Sequence, residues 1–500
     1  MYYFFNLYHN NNGEYMENKS IWNNYMRKNY TDSLTNDINV DVLIIGGGIT
    51  GLTTAYFLKD TSLNIALIEK NHIGSGSTSL TTGKLTIMQD LIYHKIPLKY
   101  RKLYLESQKD AINLILDIIN TNNIECNLEK TSSYVFTNSY DDIEEFNKEI
   151  KVYKDLNINY TTHNKLPITF PCIYNIKTNN SYVFHPLKYL YSIKKILLNS
   201  NIKIYENTTA TEIIKESNTF IVKANNNIIK TKYVVIATNY PFIINPYFIP
   251  FKVMVEKSYI TTGLVKKNKK FQAISSNPVN SIRYYTTNNK TYLLYCTNSK
   301  KLDYNDIEQN IHKENVKRFK DLFDIEVKYY FMNQDVMTLD NLPLIGRIGN
   351  SNLLLSTGYN KWGLTNGTIG GKILSDIIKC KDNKYIDMFR LNRGLTTKKI
   401  INLTIYNYNN MKNYILTKLN NSYTLIDNVR IETKDNIKYG VYRNKNGKEF
   451  KVKNTCPHMK CNLIFNSIDK TWDCPCHGSR FDIYGNSIMG PSVYNIKVED

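Results

Sequence analysis

The pattern of apolar and polar residues near the start of the chain predicts a strand, a helix and a second strand in succession. Residues 41–45 are a short apolar run rich in β-branched side chains, which is typical of a buried parallel strand. A helical pattern follows over residues 52–59, and a second apolar run covers residues 64–68. This order indicates the start of an α/β domain built on a parallel sheet.

Further along the chain, the same analysis predicts two more helices and a second group of strands. Apolar spacing favours a helix over residues 100–120, and another helix is predicted to end at Leu198. Residues 174–182 and 252–296 are rich in β-branched and aromatic side chains. These two segments therefore predict strands.

These patterns divide the 500 residues into four parts. Residues 1–36 are an Asn- and Tyr-rich extension that we expect to be disordered, and residues 37–395 form one large α/β unit with an interleaved sheet. Residues 396–421 are polar, Asn-rich and helical in places, and we interpret them as a connector. Short alternating runs with turn signals over residues 422–500 predict a small antiparallel β-domain.

Charge and hydropathy narrow the possible partners. The net charge of +20 could indicate nucleic-acid binding, but the basic residues are scattered and no nucleic-acid-binding motif is present. We therefore expect a solvated basic surface, which is also compatible with an acidic redox partner.

No apolar run reaches the roughly eighteen residues that a membrane span needs. The first twelve residues do not resemble a signal peptide either, so we expect no transmembrane segment and a cytoplasmic protein.

The turn after the first predicted strand carries a glycine pattern suited to a dinucleotide. Gly46, Gly48 and Gly51 fit the G-x-G-x-x-G fingerprint between strand and helix. Gly46 allows a tight turn, Gly48 allows close approach of a pyrophosphate, and Gly51 allows the helix to pack on the strand. Glu69, at the end of the second strand, can accept hydrogen bonds from ribose hydroxyls. The unit predicts a dinucleotide site without separating FAD from NAD.

Two short motifs near the C-terminus have the composition of a metal site. Cys456 and His458 form a C-x-H motif, and Cys474 and His477 form a C-x-x-H motif further on. Two thiolates and two imidazoles in this order are the ligand set of a Rieske [2Fe–2S] cluster, in which the cysteines bind one iron and the histidines bind the other. A structural zinc site is the alternative. Zinc motifs usually keep each ligand type together, so the mixed motifs favour the cluster.

Several segments after the glycine motif resemble the D-amino-acid oxidase family of FAD-dependent oxidoreductases, which includes glycine oxidase and sarcosine oxidase. They are residues 74–78, 82–85, 234–238, 340–346, 353–358 and 362–367. The resemblance implies bound FAD, a Rossmann-like domain of the glutathione-reductase type and an inserted mixed β-sheet that binds substrate. It also implies FAD contacts from Ser77, Thr78, Gly83, Lys84 and Gly358. By the same analogy, Gln334 and Asp335 could face the flavin ring.

The C-terminal motifs resemble the cluster-binding loops of Rieske proteins of the cytochrome bc type. The resemblance covers residues 474–479 and the later Gly-Pro pair at 490–491, and it implies a small all-β Rieske domain with a disulfide between Cys461 and Cys476. In that family a serine and, two residues on, a tyrosine donate hydrogen bonds to sulfurs at the cluster. This chain has Ser479 but Phe481. Because such bonds raise the reduction potential, we expect a potential below that of the respiratory members.

Members of the oxidase family oxidise a C–N bond and commonly hold a substrate carboxylate with an arginine. Arg283 lies in the candidate substrate sheet and is therefore the predicted catalytic, substrate-binding residue. A surface arginine on an edge strand is the alternative interpretation. His185 precedes a proline, and we expect it to cap a helix and not to act in catalysis.

Together these features predict an FAD-dependent oxidoreductase with a built-in electron outlet. It would oxidise an amine or amino acid and pass the electrons singly through a Rieske [2Fe–2S] cluster to an external acceptor, either a protein or a quinone. One alternative is a redox-responsive or electron-carrier flavo-iron-sulfur protein without a small-molecule amine substrate. Another is an oxidase whose C-terminal domain is stabilised by a structural zinc ion.

Overall fold

The computed structural model describes residues 7–9, 15–25, 30–168, 170–243, 249–265, 273–276, 280–301, 311–394, 397–419, 428–467 and 469–498. Its strands are β1 (Leu7–His9), β2 (Tyr15–Asn18), β3 (Ile38–Ile45), β4 (Ile65–Ile68), β5 (Lys84–Leu85), β6 (Glu129–Thr137), β7 (Thr161–His163), β8 (Tyr174–Val183), β9 (Ile202–Tyr205), β10 (Ala210–Glu216), β11 (Thr219–Ala224), β12 (Asn227–Ile236), β13 (Val253–Leu264), β14 (Ala273–Ser276), β15 (Ser281–Thr287), β16 (Lys290–Lys301), β17 (Val327–Thr338), β18 (Leu344–Arg347), β19 (Leu353–Thr357), β20 (Val429–Lys434), β21 (Ile437–Arg443), β22 (Glu449–Lys453), β23 (Ile464–Asn466), β24 (Thr471–Asp473), β25 (Arg480–Asp482) and β26 (Ser487–Met489). Its α-helices are α1 (Ile49–Leu58), α2 (Arg101–Thr121), α3 (Ile143–Asp155), α4 (Pro186–Leu198), α5 (Ile311–Phe323), α6 (Gly363–Ile378), α7 (Ile386–Phe389) and α8 (Thr397–Leu419).

The first sheet contains the predicted strand–helix–strand unit. Its order is β10-β11-β12-β3-β4-β9, and β19 also pairs with β12. β3 runs parallel to β4 and to β12, and all four residues of β4 are buried. Complete burial is expected where helices cover both faces of a parallel sheet. The predicted α/β, Rossmann-like class is therefore confirmed.

The second sheet contains the strands predicted for the inserted substrate sheet. Its order is β1-β2-β17-β13-β16-β15-β14-β6-β8-β5, so β8 and the strands between residues 252 and 296 are joined in it. Most neighbours are antiparallel, but β14 and β6 are parallel, as are β17 and β2. The mixed sheet is therefore confirmed.

Two predicted helices have their expected places. α2 covers the predicted segment 100–120, and its apolar side buries Ala111, Ile115 and Ile118. α4 ends at Leu198. His185 is its N-cap, since its Nδ1 accepts a hydrogen bond from the Lys188 N–H at 3.2 Å. The prediction of a capping histidine is therefore confirmed.

Part of the N-terminal extension is folded, so the prediction of disorder over residues 1–36 is wrong for the described residues 7–9, 15–25 and 30–36. β2 pairs in parallel with β17, and a short 3₁₀ helix over Ile21–Tyr25 follows it. Trp22 is fully buried in the main core, and its Nε1 donates to the Thr81 carbonyl at 2.7 Å. These contacts lie far away in sequence, which is why the local composition gave no sign of them.

The C-terminal part is a small all-β domain, as predicted. β20, β21 and β22 form one antiparallel sheet, and β23 to β26 form another. Trp472 lies between them: a Cβ added to Gly440 would come within 2.3 Å of its ring. The predicted connector is one helix, α8. Among the described helices, none combines the length and apolar character that a bilayer crossing requires.

Candidate functional site

A cavity opens at the carboxyl ends of the parallel strands. Ile45 at the end of β3, Glu69 just after β4 and Ala237 just after β12 all line it. Ligands of open α/β sheets bind at this edge. Five of the predicted cofactor-binding residues line the cavity, namely Gly46, Gly48, Glu69, Ser77 and Thr78.

The glycine turn has the geometry that its sequence predicts. Gly46 has a φ of +113°, and a Cβ there would lie 2.5 Å from the Ala237 carbonyl oxygen. A Cβ on Gly51 would lie 1.9 Å from the Gly46 carbonyl oxygen, so α1 packs against the turn only because this residue is glycine. The first turn of α1 borders the cavity. Its backbone N–H groups and helix dipole therefore favour a phosphate there.

Glu69 is fixed by backbone hydrogen bonds at the cavity wall. Its Oε2 accepts from the Gly47 N–H at 2.7 Å, and its Oε1 accepts from the Asn71 N–H at 2.9 Å. Burial raises the pKa of this carboxyl group, although both N–H groups act in the opposite direction. The remaining lone pairs of a carboxylate held in this way can accept ribose hydroxyls.

Four predicted cofactor contacts lie outside the cavity lining. Gly51 has the packing role described above, and the other three are Gly83, Lys84 and Gly358. Lys84 Nζ donates to Ser281 Oγ at 2.5 Å and lies over the Trp362 ring. Gly358 has a φ of +74°, and a Cβ there would lie 2.4 Å from Thr338 Cγ2. Their contacts indicate that they shape the loops beside the cavity.

Arg283 is buried and its guanidinium is used by the protein itself. Nη1 donates to the carbonyl oxygens of Thr82 and Gly83, and Nη2 donates to the Phe184 carbonyl oxygen at 3.2 Å. It is not a surface arginine, and it does not line the cavity. These contacts favour a structural role for Arg283, which holds the 82–83 loop, over the substrate-binding role that the sequence predicts.

Charged residues that the motif analysis did not single out lie in the same cavity. Lys361 lines it and forms an ion pair of 3.0 Å with Glu256. Asp335, which the family analogy did suggest, also lines it and accepts from Ser258 Oγ at 2.7 Å. Burial raises the pKa of Asp335. Burial would lower the pKa of Lys361, but Glu256 and Asp335 raise it. Lys361 follows β19 in a glycine-rich turn. This position is the only feature of the sequence that indicates a role for Lys361.

The C-terminal motifs place the predicted metal ligands in two close pairs, His458 with His477 and Cys456 with Cys474. The centres of the His458 and His477 rings are 5.1 Å apart. A hydrogen bond from Cys474 lowers the pKa of the Cys456 thiol to about 7, with a further contribution from the Ser479 hydroxyl. Burial lowers the pKa of His458 to about 4 and that of His477 to about 3. Both imidazoles are therefore neutral near pH 7, which is the form that binds a metal.

The donor atoms fit a bound metal cluster. Within the described residues, His458 Nε2 and both ring nitrogens of His477 are buried without a hydrogen-bond partner. Buried polar atoms are normally satisfied, so these nitrogens are suited to metal coordination. The sulfurs of Cys461, Cys474 and Cys476 also lie within 4.8 Å of one another. However, Cys461 and Cys476 are joined in a disulfide, which confirms the predicted pairing and leaves Cys456 and Cys474 as the available thiols.

The two sites meet across the domain interface. Met489, Gly490 and Ser492 of the C-terminal domain form part of the cavity wall. Tyr240 also lines the cavity, and its ring lies edge-on to the His458 ring with a centroid distance of 6.4 Å. Gln334 Nε2 donates to the Gly478 carbonyl oxygen, in the loop after His477, at 2.7 Å.

Comparison with known proteins agrees with this division of the chain. The model of a family described as FAD-dependent oxidoreductase (DAO) matches residues 41–377, and that of the Rieske [2Fe-2S] domain matches residues 426–498. The chain is 29% identical over 488 residues to YhfW of Bacillus subtilis (strain 168), named as a Rieske 2Fe-2S iron-sulfur protein, covering 94% of this chain and 95% of that protein.

Solved structures agree on the larger part of the fold. Glycine oxidase from Geobacillus kaustophilus superimposes with a TM-score of 0.63 at 15% identity, covering 72% of this chain and 100% of that chain. L-proline dehydrogenase from P. horikoshii has a TM-score of 0.58 at 17% identity, covering 71% of this chain and 97% of that chain.

Proposed function

Since the chain belongs to the FAD-dependent oxidoreductase (DAO) family and carries a C-terminal Rieske domain, we propose that it oxidises an amine or amino acid and sends the electrons singly through its [2Fe–2S] cluster to an external acceptor. FAD supplies the two-electron oxidation of the substrate, and the cluster supplies one-electron transfer. The residues of the chain bind these groups, orient the substrate and set the distance between the two centres.

We assign FAD binding to the glycine turn and to the wall opposite it. The N–H groups at the start of α1 would hold the pyrophosphate, and Glu69 would accept the ribose hydroxyls. The hydroxyl groups of Ser77 and Thr78 border the same space. Gly51 and Arg283 act indirectly in this proposal, because they fix the shape of the turn and of the 82–83 loop.

We assign cluster binding to Cys456 and Cys474 on one iron and to His458 and His477 on the other. The buried nitrogens without partners and the two thiols outside the disulfide support this set. The Ser479 hydroxyl lowers the pKa of the Cys456 thiol, and we assign to it a hydrogen bond to that sulfur. Such a bond would stabilise negative charge on the sulfur and so tune the reduction potential.

Lys361, Glu256 and Asp335 are the candidate substrate-binding groups. An amine substrate presents an ammonium group, for which a buried carboxylate is a suitable partner, and an amino acid adds a carboxylate, for which Lys361 is suitable. Lys361 and Asp335 line the cavity, and Glu256 is paired with Lys361, so the cavity wall carries opposite charges that support a polar, charged substrate.

The observation that carries the proposal is the shared wall between the cavity and the cluster loops. Tyr240 contacts both, since it lines the cavity and its ring lies against that of His458. Two centres held in one molecule at a fixed distance need no collision for electron transfer, which is the advantage of high effective concentration. An outlet of this kind is useful to an enzyme that reduces a one-electron acceptor.

An anaerobic screen of amines and amino acids tests the proposal. We expect one chemical class to bleach the flavin absorbance, and we expect turnover with a one-electron dye to exceed turnover with oxygen. Lys361→Met should raise the KM for that class at least tenfold, whereas Lys384→Met, at an exposed lysine paired with Glu106, should leave it unchanged. The substrate proposal is wrong if every compound leaves the flavin oxidised while dithionite reduces it.

A further inference from the structure

Helix α8 turns its apolar side chains outward. Five of its large apolar side chains are exposed by 47% (Ile415) to 60% (Tyr408) of their surface. They follow one stripe along the helix, at Ile401, Ile405, Tyr408, Met411 and Ile415. At roughly 100° per residue, these positions span about 120° of the helix circumference. A surface helix usually has the opposite arrangement, with its apolar stripe against the core.

The buried face of α8 carries hydrogen-bonding side chains, and it fixes the helix in this orientation. The residues on that face are at most 6% exposed, and they are Tyr406, Asn410, Asn413 and Thr417. Asn413 Nδ2 donates to the Pro475 carbonyl oxygen at 3.3 Å, and the Thr417 carbonyl oxygen accepts from Asn462 Nδ2 at 2.7 Å. The outward apolar stripe therefore cannot be buried by rotating α8 without breaking these bonds.

An exposed stripe of this size indicates a binding surface. Single exposed apolar residues are common on proteins, but contiguous apolar patches of several hundred Å² mark interaction sites. Five half-exposed large side chains on one helix face form such a patch. The remaining question is which surface covers it.

Charge favours an anionic lipid surface over a second copy of the chain. The sequence of α8 contains four lysines, at positions 398, 399, 412 and 418, and no acidic residue, and the whole chain carries +20. In a twofold dimer the same patch meets itself, so two Lys412 residues would enter one apolar contact. At a bilayer, the Lys412 stem can lie along apolar side chains while its ammonium reaches lipid phosphate groups. We propose that α8 binds the surface of anionic membranes through this stripe.

The proposal also indicates the side from which an electron acceptor would approach the cluster. The buried face of α8 contacts the Pro475 carbonyl, which lies between Cys474 and Cys476 in the cluster loop. One helix diameter, about 10–12 Å, would then separate this loop from the bilayer surface. This consequence rests on the proposed function: an acceptor dissolved in the lipid phase, such as a quinone, would approach the cluster from this side.

Vesicle flotation of the full-length holoprotein tests the membrane proposal without any substrate. We expect binding to vesicles of equal parts phosphatidylglycerol and phosphatidylcholine, little binding to phosphatidylcholine alone, and weaker binding at high salt because surface charges are screened. The triple variant Ile401→Asn, Ile405→Asn, Ile415→Asn should bind at least tenfold more weakly. A matched triple variant at exposed apolar sites elsewhere, Leu98→Asn, Leu198→Asn, Ile437→Asn, should bind like the wild type.

Two results would overturn the proposal. One is wild-type protein that does not float with the phosphatidylglycerol vesicles, or that floats equally well after the α8 substitutions. The other is a wild-type dimer by light scattering that the α8 variant converts to a monomer, without vesicle binding, which would assign the stripe to self-association. Unchanged flavin absorbance in both variants verifies that they are folded. Vesicle binding by a protein that oxidises no amine would leave this proposal standing and contradict only the proposed function.

Discussion

Tyr240 contacts both sites. Its ring lines the cavity and lies against that of His458, so we expect Tyr240→Leu to slow electron transfer from the flavin to the cluster severalfold. Tyr240→Phe keeps the ring and should transfer electrons at close to the wild-type rate. Rapid mixing under anaerobic conditions, with cluster reduction followed by EPR, measures both. Equal rates of electron transfer in the wild type and both variants would show that Tyr240 has no part in electron transfer from the flavin to the cluster.

The hydrogen bonds at the cluster sulfurs give a second prediction at this scale. Ser479→Ala should lower the midpoint potential and Phe481→Tyr should raise it, because hydrogen bonds to the sulfurs stabilise the reduced cluster. A hydrogen bond to a charged group contributes about 1.5–3 kcal/mol, which corresponds to roughly 60–130 mV for one electron. Voltammetry measures the shift. An unchanged potential in Phe481→Tyr would show that its buried ring position cannot reach the cluster sulfurs.

Individual residues also show which features of the site a local sequence pattern predicts and which it does not. Gly46 and Glu69 were predictable because one local motif contains their strand, turn and helix. Arg283 was predicted from its strand alone, but its role depends on the carbonyl oxygens of residues 82–83 and 184, which only the folded chain brings to it. Lys361, in the cavity wall, forms an ion pair with Glu256 from a distant part of the sequence, and no local pattern joins them.

At the scale of elements, the contact between α1 and the glycine turn leaves no room for an added side-chain atom. Gly51→Ala would place a methyl group 1.9 Å from the Gly46 carbonyl oxygen. We expect it to cost about 1–3 kcal/mol by overpacking and to release FAD, since the shifted helix start no longer faces the phosphates. Gly394→Ala, where an added Cβ meets nothing within 4 Å, is the control. Full flavin content in Gly51→Ala would contradict this account of the turn.

The folded N-terminal segment is a second element whose role can be measured. Trp22 is buried against the Arg283 guanidinium, whose central carbon lies 5.1 Å from the centre of the indole ring. Trp22→Ala should therefore lower the free energy of unfolding by about 3–5 kcal/mol, and it should loosen the 82–83 loop. Thermal unfolding of the variant and the wild type measures the first effect. An unchanged melting temperature would mean that the segment packs without stabilising the fold.

Elements with a strong period were predictable, and those stabilised by distant contacts were not. α2 and the parallel strands follow from apolar spacing, and the strand segments of the mixed sheet follow from their composition. The segment 15–25 has no clear period, so nothing short of its pairing with β17 and the burial of Trp22 could identify it. α8 was expected to be helical only in places, because residues 396–421 are polar and Asn-rich.

For the whole molecule, the two-part architecture was evident from the sequence, but the docking of the parts was not. The interface depends on single contacts between distant residues, such as Gln334 with Gly478 and Lys70 with Ser487. Neither contact belongs to a motif. This docking makes the C-terminal domain a wall of the cavity, and in the proposed function it is what brings the two cofactors close together.

The most direct test of the account is an EPR measurement on anaerobically purified protein whose flavin is reduced by light in the presence of EDTA. We predict that, as the flavin absorbance is lost, a low-temperature rhombic signal appears with an average g below that of all-cysteine clusters. Such a signal would show mixed histidine and cysteine ligation and electron transfer from flavin to cluster in one molecule. A silent spectrum from protein that contains zinc and no iron would contradict the account, as would a cluster that dithionite reduces and the flavin does not.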